Sequence, residues 1–263
     1  MATRSAIINV MAKAADKAAR SLKRDFGEVS NLQVSSKGPG DFVSVADTKS
    51  ERVIREELAK ARPNFGFLME ESGASAGSDP DHTWIVDPLD GTTNFLHGLP
   101  HFAISIALQA KGEIVAGLVY DPIKDETFWA EKGGGAFCND RRMRVSARKQ
   151  LPESLLFTGI PFIGHGDRPR FIRQLDAAMR ETAGVRRLGV ASLDLAYVAA
   201  GRCEGFWEED LSPWDIAAGI LLVKEAGGYV SDLRGGQTML PTGSVMATNG
   251  TLHAPLQALL GGA

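Results

Sequence analysis

The chain has 263 residues, of which 44% are hydrophobic and 23% charged, as is typical of a globular protein with a sizeable core. Its 29 Lys and Arg residues nearly balance its 32 Asp and Glu residues, so the net charge of -3 does not indicate nucleic-acid binding or an anionic membrane surface. No apolar run approaches the roughly 18 residues of a membrane span. The two cysteines, Cys138 and Cys203, form no CxxC pair, so we expect a cytoplasmic protein with two buried thiols.

The N-terminal segment is predicted to form an amphipathic helix. Charged residues separate its apolar residues, which recur at helical spacing at Ile7, Ile8, Met11, Ala14, Ala15, Ala18 and Leu22. This pattern lacks the continuous apolar stretch of a signal peptide. A polar loop is predicted at 35–47, and a second helix is predicted to begin near Thr48, which fits a Thr-x-x-Glu capping box with Glu51.

Short runs rich in β-branched and aromatic residues then predict strands of one mostly antiparallel sheet. They are FGFLM (65–69), TWIVD (83–87), FAISIALQA (102–110), IVAGLVYDP (114–122) and ETFWAE (126–131). The third and fourth runs are also apolar enough to offer a surface for a homodimer. The Gly-rich segment at 131–137 is interpreted as a turn, because no helix start or Lys-Ser/Thr follows it.

The second half of the chain alternates between strand and helix patterns. Strands are predicted at 154–160, 184–189, 204–209, 229–233 and 244–249, and helices at 171–181, 192–201, 213–228 and the C-terminus. Such alternation is typical of helices packed on a sheet face, which predicts an α+β fold. No repeat or linker divides the sequence, so we expect a single domain over 1–263, with halves at about 1–148 and 149–263.

Carboxylates stand beside apolar segments at three places in the chain. These are Glu70 and Glu71 in FLMEESG, Asp87 and Asp90 in WIVDPLDGTTNF, and Asp215 in LSPWDIAAG. Asp215 follows Pro213 and Trp214, which fit the start of a helix, so it is expected in the first turn. Taken singly, each acid is typical of a turn or a helix start, but their combination in one chain favours a shared site.

Acids that converge repel one another, and a bound divalent cation stabilises such a cluster. Mg²⁺ is held by a few carboxylates together with water and substrate phosphate. The step Pro88-Leu89 predicts a turn that lets the flanking aspartates and the Leu89 carbonyl face one point. Gly91 then permits the close approach of a ligand, and the N–H groups of Gly91, Thr92 and Thr93 open a helix towards a phosphate oxygen. The histidines have no HxH or HExxH spacing, which argues against a zinc site, and we interpret His97 and His101 as structural.

In these residues the chain resembles the inositol monophosphatase family of lithium-sensitive, Mg²⁺-dependent phosphatases. The two family signatures resemble WIVDPLDGTTNF (84–95) and WDIAAGILLVKEAGG (214–228), and the similarity extends from DFVSVAD (41–47) to GGYVSD (227–232). The resemblance implies the layered αβαβα sandwich shared with fructose-1,6-bisphosphatase. It also implies a homodimer, inhibition by lithium, and release of myo-inositol and phosphate from inositol monophosphate.

The resemblance further implies a site for two or three Mg²⁺ ions, with Mn²⁺ as a substitute. Glu70, Asp87 and the Leu89 carbonyl would hold one ion, and Asp87, Asp90 and Asp215 would hold a second. A metal-activated water would attack the phosphorus without a covalent phosphoenzyme.

Roles for the remaining site residues follow from the same resemblance. Asp47 and Thr92 would orient the attacking water together with Glu70, and either Asp90 or a water on the second metal would protonate the leaving oxygen. Gly91, Thr92 and Thr93 would contact the phosphate. The alcohol would meet Gly189, Val190, Ala191, Glu208 and Asp215.

Several positions depart from the family pattern and leave the choice of alcohol open. Met69 stands where Gly often precedes the Glu pair, Val190 stands where some members carry Thr, and Glu209 and Asp210 add acids near the pocket mouth. The alternatives within the same chemistry are phosphatases for fructose 1,6-bisphosphate, NADP, 3′-phosphoadenosine nucleotides or histidinol phosphate. A different alternative is a regulatory protein that binds the transcription or RNA-processing machinery.

Overall fold

The structure of the chain is a computed structural model that describes residues 4–26, 34–38 and 41–262. The N-terminal helix α1 (Ala6–Phe26) has the predicted apolar face, and its residues Ile8, Met11 and Leu22 are fully buried. In the described part of the chain, no helix is both long and apolar enough to cross a membrane.

The segment before the second helix differs from the predicted polar loop. Strands β1 (Val34–Gly38) and β2 (Asp41–Ser44) pair antiparallel, and helix α2 (Val45–Ala61) begins directly after them. Positions 39–40 of the predicted loop lie outside the described residues. The predicted capping box at Thr48 is wrong, because Thr48 lies within the helix and its hydroxyl donates to Val45 O, while Glu51 accepts from the Glu71 N–H.

The first half of the chain forms an eight-stranded sheet with the strand order β10-β9-β8-β7-β6-β5-β3-β4. All neighbours pair antiparallel except β3 and β5, which are parallel, so the prediction of a mostly antiparallel sheet is confirmed. The strands are β3 (Phe65–Met69), β4 (Gly73–Ser75), β5 (Asp79–Asp90), β6 (Ala103–Ala110), β7 (Glu113–Asp121), β8 (Glu126–Glu131), β9 (Gly135–Cys138) and β10 (Arg141–Arg142). Helix α3 (Thr92–Leu96) follows β5 directly.

The second half forms a five-stranded mixed sheet with the order β12-β11-β13-β15-β14. Its strands are β11 (Leu155–Thr158), β12 (Gly184–Arg186), β13 (Gly205–Glu208), β14 (Tyr229–Ser231) and β15 (Val245–Thr248). Its helices are α4 (Arg168–Glu181), α5 (Ala191–Ala199), α6 (Pro213–Glu225), α7 (Met239–Thr242) and α8 (His253–Gly261), after a 3-10 turn at Leu151–Glu153. Within the described part of this half, the 3-10 turn and the one-turn helix α7 were not predicted.

Three hydrophobic cores separate five layers. One core lies between the helix pair α1/α2 and the large sheet, a second surrounds α5 and α6 between the two sheets, and a third lies between the small sheet and the pair α4/α8. Because each face of each sheet is covered by helices, nearly every central strand is apolar on both faces. The predicted α+β fold with αβαβα layers is confirmed.

Two expectations about surfaces are corrected by this layering. Strands β6 and β7 are central and mostly buried, so they do not offer the exposed surface that was predicted for a homodimer. Cys203 is fully buried, but Cys138 is only partly buried, and both thiols are free. His101 is mostly buried beside Tyr197 and Lys124, outside the carboxylate cluster described below.

Candidate active site

A β-bulge at the end of β5 brings two aspartates to the same side of the large sheet. Asp87 pairs with Ser105 and Asp90 pairs with Ala103, so three steps along β5 match two steps along β6. In a regular strand, residues three apart point to opposite faces, and one extra residue restores them to the same face. The turn that the sequence predicted at Pro88-Leu89 is therefore a β-bulge.

Each aspartate of this cluster is held by a backbone N–H group. Asp87 Oδ1 accepts from Leu89 N at 2.9 Å, and Asp90 Oδ2 accepts from Ser192 N at 2.8 Å. Asp215 lies in the first turn of α6 as predicted, and its Oδ2 accepts from the N–H of the capping residue Ser212 at 2.7 Å. Three separate elements, β5, α5 and α6, thus fix the side chains that form the cluster.

The carboxylates are close enough to raise one another's pKa values. Burial raises the pKa of Asp87 well above its usual range, and the charges of Glu70, Asp90 and Asp215 raise it further. The pKa of Asp215 rises in the same direction because of burial and then the charge of Asp90. Burial raises the pKa of Asp90 to about 6, an effect that its hydrogen bond from Ser192 partly offsets. The cluster therefore carries the mutual repulsion that the sequence predicted.

The chemical type of these donors fits a hard divalent cation, since carboxylate oxygens are the ligands that Mg²⁺ prefers. Within residues 4–26, 34–38 and 41–262, however, no three His, Cys, Asp or Glu side chains are arranged so that they could hold a metal ion as they stand. Asp87, Asp90 and Asp215 each direct one oxygen to a backbone N–H.

Thr92 lies beside the cluster and is tied to the helix pair. Its hydroxyl lies 2.8 Å from Asp47 Oδ1 and 3.0 Å from the Leu89 carbonyl oxygen, with both oxygens placed to accept. Asp47 is fully buried in the first turn of α2. One turn later, Ser50 Oγ donates to Pro88 O at 2.8 Å and so holds the bulge in place. The predicted Asp47 and Thr92 pair is in direct contact.

Gly91 occupies a position that disfavours any other residue. Its φ of 94° is in the left-handed region, and a Cβ atom built there would lie 2.8 Å from Val190 Cγ2. Thr92 and Thr93 follow it in α3, and Thr93 is exposed. Val190 is fully buried, so its side chain serves as packing against Gly91.

A cleft of about 340 Å³ is lined by Glu70 and Asp215 but not by Asp87 or Asp90. It contains the predicted residue Glu208 and the additional acids Glu209 and Asp210, but Gly189, Val190 and Ala191 are not among the residues that line it. Burial raises the pKa of Glu208 to about 8, with a further contribution from the charge of Asp90.

Sequence reasoning missed several residues that position the site. Asn94 is buried and its amide donates to His101 O at 3.0 Å and to Leu188 O at 2.8 Å, which joins the loops on both sides of Gly91. Ser105 donates to Trp214 O at 3.2 Å and ties the start of α6 to the sheet. Arg187 is exposed, but its charge lowers the pKa of the nearby Glu208. The Asn94–Leu188 and Ser105–Trp214 contacts join segments roughly a hundred residues apart and leave no local signal in the sequence.

Comparison with known proteins places this site in a family. Residues 3–261 match the inositol monophosphatase family. An inositol-1-monophosphatase of Mesorhizobium japonicum is 61% identical over 253 residues, which cover 96% of this chain and 95% of that protein. The Nus factor SuhB of Escherichia coli strain K12 is 44% identical over 243 residues, which cover 92% of this chain and 91% of that protein.

The solved structures agree with the sequence relatives. The crystal structure of the extragenic suppressor protein suhB from Bartonella henselae matches with a TM-score of 0.95 and 56% identity, covering 97% of this chain and 98% of that chain. A match over nearly the whole length, with the same layered fold and the acidic site in place, leads to one conclusion. The chain belongs to the inositol monophosphatase family.

Proposed function

We propose that the chain is a Mg²⁺-dependent phosphate monoester hydrolase that releases myo-inositol and phosphate from inositol monophosphate. The observation that carries the proposal is the convergence of Asp87, Asp90 and Asp215, three mutually repelling carboxylates, beside the hydrogen-bonded pair Thr92 and Asp47. The 61% identical relative is named for the same reaction.

Two or three Mg²⁺ ions, replaceable by Mn²⁺, would be held by this cluster. Glu70, Asp87 and the Leu89 carbonyl would hold one ion, and Asp87 would share a second with Asp90 and Asp215. Bound divalent cations supply neutralisation of the carboxylates and Lewis-acid polarisation of the phosphoryl oxygens.

Thr92 is placed to take part in proton removal from the attacking water. Its O–H donates to Asp47, so its remaining lone pair can accept a proton from a water while its own proton moves towards the buried carboxylate. The Leu89 carbonyl, 3.0 Å away, restricts the rotation of this hydroxyl. Glu70, in the turn that follows the neighbouring strand β3, would complete the orientation of the water.

Asp90 is the proposed donor of a proton to the leaving alkoxide. Its hydrogen bond from Ser192 N fixes the side chain at the start of α5. After donating its proton to the leaving oxygen, the carboxylate would have to take up a proton from water before the next turnover.

The substrate would lie between the one-turn helix α3 and the small sheet. We propose that Gly91, Thr92 and Thr93 contact the phosphate, and that the alcohol meets the backbone at 189–191 and the side chains of Glu208 and Asp215. The described residues that line the cleft include six carboxylates but no Lys or Arg, which disfavours a second phosphate group on the substrate. This charge pattern favours a monophosphate over fructose 1,6-bisphosphate.

The proposal is tested by phosphate release, with and without Mg²⁺, from inositol 1-phosphate, fructose 1,6-bisphosphate, NADP, histidinol phosphate and a 3′-phosphoadenosine nucleotide. We expect the largest kcat/KM for inositol 1-phosphate, no release after chelation, and inhibition by Li⁺. Release that is undiminished in a metal chelator would overturn the proposed chemistry, and a preference for a bisphosphate would overturn the proposed substrate.

A second function is suggested by relatives named Nus factor SuhB, at 44% identity. We propose that the chain can also contact a protein of the transcription machinery, as a homodimer in the cytoplasm. A pull-down of RNA polymerase and Nus proteins with wild-type and Asp87→Asn chains separates the two functions. Retention of these proteins by both chains supports a binding role that is independent of hydrolysis, and the absence of any retained protein argues against it.

A further inference from the structure

The carboxyl group of Glu208 occupies the space that a side chain at Gly159 would fill. A Cβ atom built on Gly159 would lie 1.7 Å from Glu208 Oε1, whereas real Cβ atoms stay at least 3.0 Å from atoms to which they are not bonded. The carbon and the second oxygen of the same carboxyl group also overlap this position. The carboxyl of Glu208 therefore lies directly on the backbone of Gly159.

The pairing of the small sheet brings these two residues together. Strands β11 and β13 are parallel, with Thr158 opposite Trp207, so Gly159 and Glu208 stand side by side at the carboxyl ends of the two strands. The Thr158 hydroxyl donates to the Trp207 carbonyl oxygen at 2.8 Å and holds these ends together. The carboxyl ends of parallel strands are where open α/β sheets bind their ligands.

The backbone conformation at position 159 does not itself require glycine. Gly159 is not among the residues with positive φ, unlike Gly91, so an L residue can adopt its conformation. What Gly159 provides is space, and the Glu208 carboxyl fills it. This carboxyl is the end of a side chain with several rotatable bonds, so an added methyl group would move the carboxyl and leave the backbone in place.

The position of the Glu208 carboxyl matters because this group is accessible from the cleft. Glu208 is only partly buried, and it lines the cleft together with Gly159 and Asp215. A methyl group at position 159 would force the carboxyl away from the end of β11. Hydrogen bonds weaken steeply when distance and angle depart from their optimum, so a displaced carboxyl would lose a hydroxyl partner that it meets in its present place.

We propose that Gly159 is a specificity-determining residue that acts through Glu208. The absence of a side chain at position 159 sets the place of the carboxyl that accepts a hydrogen bond from a hydroxyl group of the alcohol. The inference rests on the proposed function, because it assumes that the alcohol of the monoester meets Glu208. It predicts that Gly159 favours polyol phosphates over phosphates of alcohols that have no further hydroxyl group.

A double-mutant cycle with two substrates tests this role. The ratio of kcat/KM for inositol 1-phosphate to that for phenyl phosphate isolates the contribution of the additional hydroxyl groups. In Gly159→Ala we expect this ratio to fall by about fivefold, the factor that a hydrogen bond of about 1 kcal/mol gives. Glu208→Ala should lower the ratio at least as much. Adding Gly159→Ala to Glu208→Ala should have no further effect, because the carboxyl through which Gly159 acts is gone.

The matched control is Gly236→Ala. A Cβ atom at Gly236 would also meet a carboxyl group, that of Asp232 at 2.5 Å, but neither residue lines the cleft. Its ratio should remain at the wild-type value. A fall like that of Gly159→Ala would show that displacement of any carboxyl changes the ratio, and would overturn the specific role of Gly159.

A crystal structure of Gly159→Ala makes the outcome independent of turnover. We expect the Glu208 carboxyl to have moved away from the end of β11 while the strands keep their positions. A carboxyl that stays in place, an unchanged ratio in Gly159→Ala, or a further fall in the double variant would overturn the role of Gly159, while the phosphatase would stand. Absence of phosphate release from both monoesters by the wild type would instead contradict the proposed function.

Discussion

The two ends of the cleft satisfy their polar groups in opposite ways. At the carboxylate end, Asp87, Asp90 and Asp215 each accept a hydrogen bond from a nearby backbone N–H, and the remaining strain is repulsion between charges. Under α4, Gln174 and Trp207 carry no charge, and their donors lack acceptors among the described residues. The carboxylate cluster therefore requires a cation, whereas Gln174 and Trp207 do not.

The two regions also differ in how their residues are distributed along the chain. Residues of the carboxylate cluster come from long continuous motifs, and their geometry depends on a bulge, a positive-φ glycine and helix starts. Gln174 and Trp207 come from one helix and one strand that meet only in the folded chain. Substitutions in the carboxylate cluster should change turnover.

The largest effect is expected for Asp90→Asn. The amide oxygen can still accept from Ser192 N, so the fold should persist, but one charge of the cluster is lost. Cation stabilisation is worth several kcal/mol, and about 1.4 kcal/mol is tenfold in rate, so we expect kcat to fall by about 100-fold or more. Thermal unfolding without metal should shift upward, because repulsion with Asp87 and Asp215 is relieved.

The exposed Asp140 provides the matched control, since Asp140→Asn changes the net charge equally without touching the cluster. Phosphate-release assays and calorimetric melting curves of both variants give the comparison. A kcat for Asp90→Asn within twofold of the wild type would remove Asp90 from the proposed chemistry.

The next effect is expected for Thr92→Val, which keeps the shape of the side chain and removes its hydroxyl. Loss of the contacts to Asp47 and the Leu89 carbonyl should lower kcat by about 10²-fold, the lower range for a positioned acid-base group. Thr93→Val, at an exposed position of the same turn, should have a much smaller effect on kcat. Equal losses in both variants, measured at saturating substrate, would show that the Thr92 hydroxyl has no special role.

A smaller effect, on stability, is expected for Gly91→Ala. The new Cβ meets Val190 at 2.8 Å in a backbone conformation that L residues disfavour, which should cost about 1–3 kcal/mol of unfolding free energy. Gly98→Ala shares the positive φ, at 70°, but its Cβ meets nothing within 4 Å. Urea denaturation of the two variants separates strain from contact, and a Gly98 variant as unstable as the Gly91 variant would show that the Val190 contact is unimportant.

The smallest effect concerns pH and Glu208. Burial raises the pKa of Glu208 from 4.5 to about 8, so the folded state binds more protons than the unfolded state between these values. Its contribution to stability therefore decreases as pH rises from about 4.5 to 8. Glu208→Gln resembles the protonated form and should lose less stability over this window, as measured by unfolding at pH 5, 6.5 and 8. If the unfolding free energies of the wild type and Glu208→Gln change in parallel with pH, the pKa of Glu208 is not raised.

The sequence predicted the parts of the molecule that depend on local pattern. The strand FGFLM, the helix start at Pro213 and the contact of Thr92 with Asp47 were predicted from periodicity, helix chemistry and family resemblance. The predicted capping box at Thr48 is wrong, because the Glu51 carboxylate accepts a hydrogen bond from the Glu71 N–H, a contact that arises only in the tertiary structure.

The parts that escaped prediction depend on contacts between distant segments. Asn94 and Leu188 are joined by a side-chain amide, and no spacing in the chain indicates that pair. Gln174 and Trp207 are likewise neighbours only through the packing of α4 on the small sheet. The packing of Gln174 beside Trp207 therefore could not be predicted from the sequence, whereas the residues of the carboxylate cluster largely could.

The central claim is that divalent cations bind among Asp87, Asp90 and Asp215. Anomalous scattering from crystals soaked in Mn²⁺ tests it most directly. We expect strong peaks in contact with the Asp87 and Asp215 carboxylates, which weaken in crystals of Asp87→Asn. Crystals without such peaks at high Mn²⁺ concentration, with the three aspartates bound only to backbone N–H groups, would contradict the account.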